Sequence, residues 1–239
     1  MRRSDEFTRP GASYPRMSTY LLVPGAGGAA WYWHRVVPLL LDAGHDAIAV
    51  DLPGDDPAAG LPEYAGLVVG AADGHEDVVL VAQSMGAFTA LPACARLPVR
   101  RLVLNNAMVP LPGETAGDWW EHTGSGVARV AAAREHGYDE AFDLATYFLH
   151  DVPSDVAAAG AEHERPEADI AFGQPCPFDR WPDVPTTLLA GRDDRFFPLA
   201  FQRRVARERL GLEVEALPGG HLNALSEPEA LAAALLAAG

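Results

Sequence analysis

Residues 78–86 read Val-Val-Leu-Val-Ala-Gln-Ser-Met-Gly, an apolar run that stops at Ser84. The run is typical of a buried parallel strand, and the Ala-rich stretch after Gly86 is typical of a helix. Ser84 would then occupy a tight, strained strand-to-helix turn, whose neighbours two positions away must be small. Ala82 and Gly86 are small, although Ala82 departs from the common Gly-x-Ser-x-Gly pattern. The turn predicts that Ser84 is a nucleophile exposed to a substrate. The alternative is an ordinary helix-capping serine, and this motif alone does not distinguish the two.

Strand-like and helix-like stretches alternate along most of the chain. The sequence predicts strands at 19–23, 47–50, 78–82, 101–105, 186–190 and 213–217. It predicts helices at 31–42, 62–72, 87–96, 199–210 and 223–238. Repeated strand-helix units indicate an α/β fold with a mostly parallel central sheet and helices on both faces.

The alternation breaks in the middle of the chain. Residues 111–181 carry helical stretches, at 118–136 and 138–150, without clear strands. We expect 111–181 to form a helical cap inserted at the carboxyl edge of the sheet, where ligands bind in such folds. Residues 17–110 and 182–239 would form the core. Residues 1–16 are expected to be a disordered tail, with Met17 a candidate start because the first strand follows it.

Two further segments convert Ser84 into a candidate catalytic nucleophile. Gly-Arg-Asp-Asp follows a predicted strand at 191–194, and Gly-Gly-His follows another and ends at His221. The chain order is therefore serine, aspartate, histidine, the order of a Ser-His-Asp triad on such a sheet. His221 can take the serine proton, and a carboxylate on the other ring nitrogen fixes the tautomer. At this point Asp193 and Asp194 both remain candidates for the acid.

Acyl transfer also requires two N–H donors for the oxyanion. One would be the backbone N–H of Met85, directly after the nucleophile. The second would come from the Gly-rich loop after the first strand, from Ala26. Glycines in that loop let the backbone approach a substrate closely. A phosphate-binding role for the loop is disfavoured, because neither the Gly-Lys-Ser/Thr ending nor the dinucleotide spacing is present.

Composition limits the partners. The net charge of −15 disfavours nucleic acid and anionic membrane surfaces as partners. The N-terminus lacks the apolar segment of a secretory signal, and 230–239 is too short an apolar stretch to span a bilayer, so we expect a cytoplasmic protein. Cys94 and Cys176 are expected to be free thiols. His150-Asp151 and His163-Glu164 lack metal-ligand spacing, so no metal is expected.

These motifs together resemble the α/β-hydrolase superfamily from about Thr19 to the C-terminus. They are the loop Pro24-Gly25-Ala26-Gly27, the turn Asp51-Leu52-Pro53-Gly54, the elbow at 82–86, the acid loop at 191–194 and Gly219-Gly220-His221. Within the superfamily, residues 25–31 are similar to the plant methylesterase and hydroxynitrile-lyase branch and its bacterial relatives. Pro24 stands where that branch usually has histidine, which affects support of the loop rather than its donors.

The resemblance also selects the acid. The family's acid usually lies three residues after the glycine, which implies Asp194 and leaves Asp193 to point away or cap the loop. Some relatives place the acid after the strand that ends here near Asn105. Asn105 and Asn106 occupy that place, so this alternative fails.

The sequence therefore predicts a serine hydrolase that cleaves a small, apolar ester without cofactor. A lyase is disfavoured because plant lyases carry a lysine after the catalytic histidine, where this chain has Leu222, and all 18 of its basic residues are arginine. Carbon–carbon bond hydrolysis with a similar triad remains an alternative, as does a non-catalytic protein that binds small ligands. Two or three aromatic residues are expected to line the pocket, among Trp31, Trp33, Trp119, Trp120, Phe148, Phe172 and Trp181.

Overall fold

A computed structural model describes residues 17–239, so the predicted tail at 1–16 lies outside the described residues. The strands are β1 (Thr19–Val23), β2 (Asp46–Ala49), β3 (Val78–Gln83), β4 (Val99–Asn105), β5 (Thr186–Gly191) and β6 (Val214–Leu217). The helices are α1 (Val37–Asp42), α2 (Leu61–Ala71), α3 (Gly86–Cys94), α4 (Ala116–Thr123), α5 (Ser125–His136), α6 (Leu144–Tyr147), α7 (Ser154–Gly160), α8 (Asp169–Gly173), α9 (Leu199–Leu210), α10 (Asn223–Ser226) and α11 (Pro228–Ala238). Short 3₁₀ helices cover Ala30–Trp33 and Ala161–His163.

The strands form one six-stranded sheet in the order β2-β1-β3-β4-β5-β6, with every neighbouring pair parallel. β3 lies between β1 and β4, where Ala82 pairs with Val23 on one side and Leu104 on the other. Because all strands run the same way, the loops after β1, β3, β5 and β6 leave from one edge of the sheet. That edge carries each of the residues predicted to act in catalysis.

Helices cover both faces of the sheet, and the alternation of side chains along β1 shows how. Leu21 packs in an apolar cluster with Phe88 of α3, whereas Leu22 packs in a second cluster with Leu40 of α1 and Leu231 of α11. Successive side chains of a strand point to opposite faces, so a sheet covered on both sides needs a continuous apolar run. The predicted fold class is confirmed.

Several helix predictions differ from the structure at specific local signals. The stretch predicted as one helix at 31–42 is a 3₁₀ turn followed by α1, which starts at Val37 with Pro38 in its first turn. Gly124, with φ of 64°, separates α4 from α5. In the same way α10 and α11 divide the stretch predicted at 223–238, and Pro228 begins α11.

The helix predicted at 138–150 is wrong, since only α6 forms there. The side chain of Asp139 accepts the N–H of Ala141, and the side chain of Asp143 accepts the N–H of Thr146. The first bond competes with helical bonds and turns the chain, and the second caps the start of α6, so the helix begins only at Leu144.

The helices α4 to α8 all lie between β4 and β5, and within that described stretch the chain adds no strand to the sheet. Among the described residues, no helix is long and apolar enough to cross a membrane.

Candidate active site

Ser84 occupies the turn between β3 and α3 in a left-handed backbone conformation, with φ of 51°. Its carbonyl accepts the N–H of Met108 at 3.0 Å, which supports the turn from the next loop. A Cβ at Gly86 would overlap the carbonyl oxygen of Pro24, so this position excludes any side chain. Ala82, by contrast, lies inside β3 and is fully buried in the core. The unfavourable φ of Ser84 is therefore imposed by close packing around the turn.

His221 bridges Ser84 and Asp194. Its Nε2 lies 3.1 Å from the Ser84 Oγ, and its Nδ1 lies 2.8 Å from the Asp194 Oδ2. An Nδ1–H donated to the carboxylate leaves Nε2 as the acceptor for the serine hydroxyl. His221 follows β6 on a loop turned by Gly219, with φ of 88°, and is fully buried.

The loop after β5 places Asp194, and not Asp193, against the histidine. The Asp194 Oδ1 accepts the N–H groups of Phe196 and Phe197, each at 2.8 Å, while its Oδ2 also accepts the side-chain N–H of Gln202 at 3.1 Å. Asp193 is exposed. These bonds hold the Asp194 carboxylate in one orientation.

Asn106 joins the loops that carry the acid and the histidine. Its Nδ2 donates to the carbonyls of Gly220 and His221, at 3.1 and 3.0 Å. Its Oδ1 accepts the N–H of Gly191 at 2.7 Å and the side chain of Gln202 at 3.2 Å. In the sequence alone, Asn106 indicates only that no acid lies at that position. An asparagine buried at the end of an apolar strand is the signal that could have identified this residue.

Three phenylalanine rings surround the His221 imidazole. The ring centroids of Phe148, Phe196 and Phe197 lie 4.9, 5.1 and 5.0 Å from that of His221, all in edge-to-face arrangements. The rings exclude water from the imidazole and restrict its rotation. Phe196 and Phe197 come from the acid loop, whereas Phe148 comes from the stretch between α6 and α7.

The two predicted oxyanion donors both lie at the cavity that Ser84 faces. Within the described residues, neither the Ala26 N–H nor the Met85 N–H is taken by a hydrogen bond. A Cβ at Gly25 would overlap the Oε1 of Gln83 and lie 3.0 Å from the Cβ of Ser84, so the loop passes close to the elbow and a side chain there would displace Gln83. Both N–H groups are free to bind an anionic oxygen.

Residues 165–168 lie across the Gly-rich loop, a contact that the sequence did not reveal. The Glu167 Oε2 accepts the N–H of Gly27 at 2.6 Å, and its Oε1 accepts the Tyr64 hydroxyl at 2.8 Å. Burial raises the pKa of Glu167 above the ordinary range, although both hydrogen bonds act in the opposite direction. Arg165 pairs with Asp51 at 2.8 Å.

The cavity in front of Ser84 has a volume of about 390 Å³. Its walls combine the core with residues from α6 to α8 and are mostly apolar. Four of the aromatic residues considered from the sequence line it: Trp31, Trp120, Phe148 and Phe172. Trp33 and Trp119 are fully buried in the core instead. The residues between 17 and 239 contain no group of three or more histidine, cysteine or carboxylate side chains placed to hold a metal ion.

Solved structures with the same fold include hydrolases. A pyrethroid hydrolase from Sphingobium faniae superposes with a TM-score of 0.74 at 23% identity, covering 93% of this chain and 97% of its own. An Arabidopsis methylesterase has a TM-score of 0.74 at 20% identity, covering 93% and 98%. At these identities the likeness establishes the fold.

Sequence relatives match a shorter part. A rice protein named "Probable esterase PIR7A", from Oryza sativa subsp. indica, is 37% identical over 110 residues, which span 41% of this chain and 42% of the rice protein. Norfluorocurarine synthase 1 from Strychnos is 33% identical over 98 residues, 37% of either chain. The chain thus aligns with less than half the length of these curated relatives. A sequence model of the alpha/beta hydrolase family matches residues 20–234. The predicted family is confirmed: this chain belongs to the alpha/beta hydrolase family.

Proposed function

We propose that the protein is a serine esterase that cleaves a small, apolar ester through an acyl-enzyme. The observation that carries the proposal is the continuous relay from the Ser84 Oγ to the His221 Nε2, and from the His221 Nδ1 to Asp194, at 3.1 and 2.8 Å. A serine hydroxyl needs a base within hydrogen-bonding reach to become nucleophilic. The esterase name of the rice relative supports ester hydrolysis in general.

In the acylation step, the Ser84 oxygen attacks the ester carbonyl while its proton passes to the His221 Nε2. Asp194 stabilises the imidazolium that forms but keeps its own charge. The carbonyl oxygen becomes an oxyanion and accepts the N–H groups of Ala26 and Met85. Collapse of the intermediate breaks the bond to the alcohol, which leaves with the proton from His221.

Deacylation repeats these steps with water. His221 takes a proton from the water, whose oxygen attacks the acyl carbonyl, and then returns the proton to Ser84 as the acid leaves. The reaction as written uses only side chains and backbone groups of this chain, and requires neither cofactor nor metal.

The cavity favours a small-molecule substrate with apolar acyl or alcohol parts. Its volume of about 390 Å³ and its aromatic walls suit a compact, largely uncharged molecule. Residues 111–181 act in this proposal as the cap that sets substrate size. Leu222 occupies the cavity wall where the lyase mechanism would need a cation, and so favours hydrolysis.

The test compares Ser84→Ala with a matched serine variant. Purified protein should hydrolyse p-nitrophenyl acetate and butyrate, and Ser84→Ala should abolish this activity. Ser154→Ala is the control, because Ser154 is an exposed serine at the start of α7. Equal rates for wild type and Ser84→Ala would refute the proposal.

A further inference from the structure

Glu167 reaches the Gly-rich loop from a distant part of the chain. It lies just before α8, and its carboxylate accepts the N–H of Gly27 across 140 residues of sequence. Gly27 directly follows Ala26, whose N–H is a proposed oxyanion donor. The side chain of Glu167 also lines the cavity that Ser84 faces. One carboxylate from the cap therefore contacts the loop beside the reacting atoms.

The surrounding contacts show that this is a close-packed junction. Gly27 has φ of 83°, and a Cβ there would lie 2.5 Å from the carbonyl oxygen of Arg165. The N–H of Ala168 donates to the carbonyl of Gly54 at 2.7 Å. A Cβ at Gly54 would in turn lie 2.5 Å from the Gly27 carbonyl carbon. Loop, turn and cap segment are thus in backbone contact, with no side chains between them.

The loop has few other restraints near its donor. Its own backbone bonds run from the Gly28 N–H to the Gly25 carbonyl at 3.1 Å and from the Leu52 N–H to the Gly28 carbonyl at 2.8 Å. Glycine residues on both sides of Ala26 permit many backbone conformations. Fixing the Gly27 N–H sets the plane of the peptide that follows Ala26, and so limits the directions in which the Ala26 N–H can point.

We propose that Glu167 is a positioning residue that couples the cap to the oxyanion loop and aims the Ala26 N–H at the reacting carbonyl. This inference rests on the proposed esterase function. The negative charge itself would oppose a developing oxyanion, so the benefit must come from the hydrogen bond to Gly27. A neutral acceptor of the same shape should serve equally well.

The experiment compares Glu167→Ala with Glu167→Gln on p-nitrophenyl acetate. A misplaced oxyanion donor acts on the transition state, so Glu167→Ala should lower kcat about 10- to 100-fold and leave KM within about threefold. Glu167→Gln can still accept from Gly27 and can donate to the Tyr64 oxygen, so it should restore kcat to within about threefold of wild type. Glu162→Ala, which removes an exposed carboxylate of the same segment, is the matched control.

Two further measurements keep the outcomes distinct. Thermal unfolding reports whether each variant is folded, and the ¹⁵N–¹H resonance of Gly27 reports the hydrogen bond directly. We expect that resonance to move in Glu167→Ala and to stay nearly in place in Glu167→Gln. A folded Glu167→Ala with wild-type kcat, or equal losses in both variants, would overturn the inference while Ser84→Ala stays inactive. If wild type were no more active than Ser84→Ala, the esterase proposal would fail. A Gly27 resonance that does not move in Glu167→Ala would also overturn the proposed role of the hydrogen bond between Glu167 and Gly27.

Discussion

The sheet core and the inserted helices place functional groups by different means. In the core, Ser84, Asp194 and His221 each follow a parallel strand, so the topology alone brings them to one edge. In the insertion, Phe148 and Glu167 reach the site through contacts that are distant in sequence. The positions of the proposed catalytic residues in the core therefore follow from the order of the strands. The positions of the residues by which the insertion shapes the cavity are seen only in the folded structure.

The largest expected difference lies within the core, between two adjacent aspartates. Asp194→Asn should lower kcat by about 10⁴-fold, because the amide favours the wrong histidine tautomer. Asp193→Asn should change kcat by less than about twofold, since that carboxylate is exposed. Steady-state kinetics on p-nitrophenyl acetate measure both. The reverse ranking would mean that the acid has been assigned to the wrong residue.

The next effect tests how the insertion is attached to the core. Glu114, before α4, is bonded to Arg209 of α9 at 2.9 Å, and the two side chains are only 3% and 8% exposed. Burial opposes ionisation of Glu114, but the hydrogen bonds from Arg209, from the Leu111 N–H and from His122 outweigh it and lower its pKa. Glu114→Gln leaves the Arg209 charge buried without its partner. It should reduce the free energy of unfolding at pH 7 by about 3 kcal/mol.

The sign of the pH dependence follows from the lowered pKa. The stabilisation by Glu114 is fully present above the ordinary glutamate pKa of about 4.3 and is lost as the pH falls through the lower folded value. Urea unfolding from pH 7 to pH 3 should show the wild-type and Glu114→Gln curves converging at the acid end. Glu208→Gln, at an exposed pair with Arg204, should cost less than about 1 kcal/mol throughout. If the difference in the free energy of unfolding between wild type and Glu114→Gln grew as the pH fell, this account would be contradicted.

A smaller loss of stability is expected from a change at Asn106, which joins two loops of the core. Asn106 has φ of 47°, which glycine adopts without strain, so Asn106→Gly removes the side-chain bonds and keeps the backbone. The carbonyl of Gly220 then loses its donor, and the carbonyl of His221 keeps only the longer bond from the Gln83 Nε2, at 3.4 Å. The free energy of unfolding should fall by about 2 kcal/mol, and kcat should fall more than KM rises. Urea unfolding measures the loss of stability, and steady-state kinetics measure the change in kcat. An unchanged kcat would show that Asn106 does not position the histidine loop.

The smallest effect belongs to the insertion's share of the cavity wall. Phe172→Ala, in α8, should raise KM for p-nitrophenyl butyrate by about tenfold and leave kcat nearly unchanged, because it removes apolar contact present before and during reaction. Leu111→Ala, at an exposed apolar residue of the same region, is the control. A large fall in kcat with constant KM would show that the insertion takes part in the chemistry itself.

The same contrast explains what could be predicted from the sequence. Apolar runs predicted the strands, and the polar residues at their ends placed Ser84 and His221. Glu167 could not be predicted, because its partner Gly27 is 140 residues away and a lone glutamate has no pattern. The helix expected at 138–150 failed because Asp139 bonds to nearby backbone, which favours a turn, and because Asp143 caps a helix that begins only at Leu144.

The central claim is that His221 activates Ser84, and covalent labelling with a fluorophosphonate probe tests it most directly. Intact-protein and peptide mass spectrometry should show one adduct, on Ser84, formed rapidly by wild type. His221→Ala should slow the labelling by several orders of magnitude, and Ser84→Ala should not be labelled. An adduct on a different residue, or a wild-type rate equal to that of His221→Ala, would contradict the account.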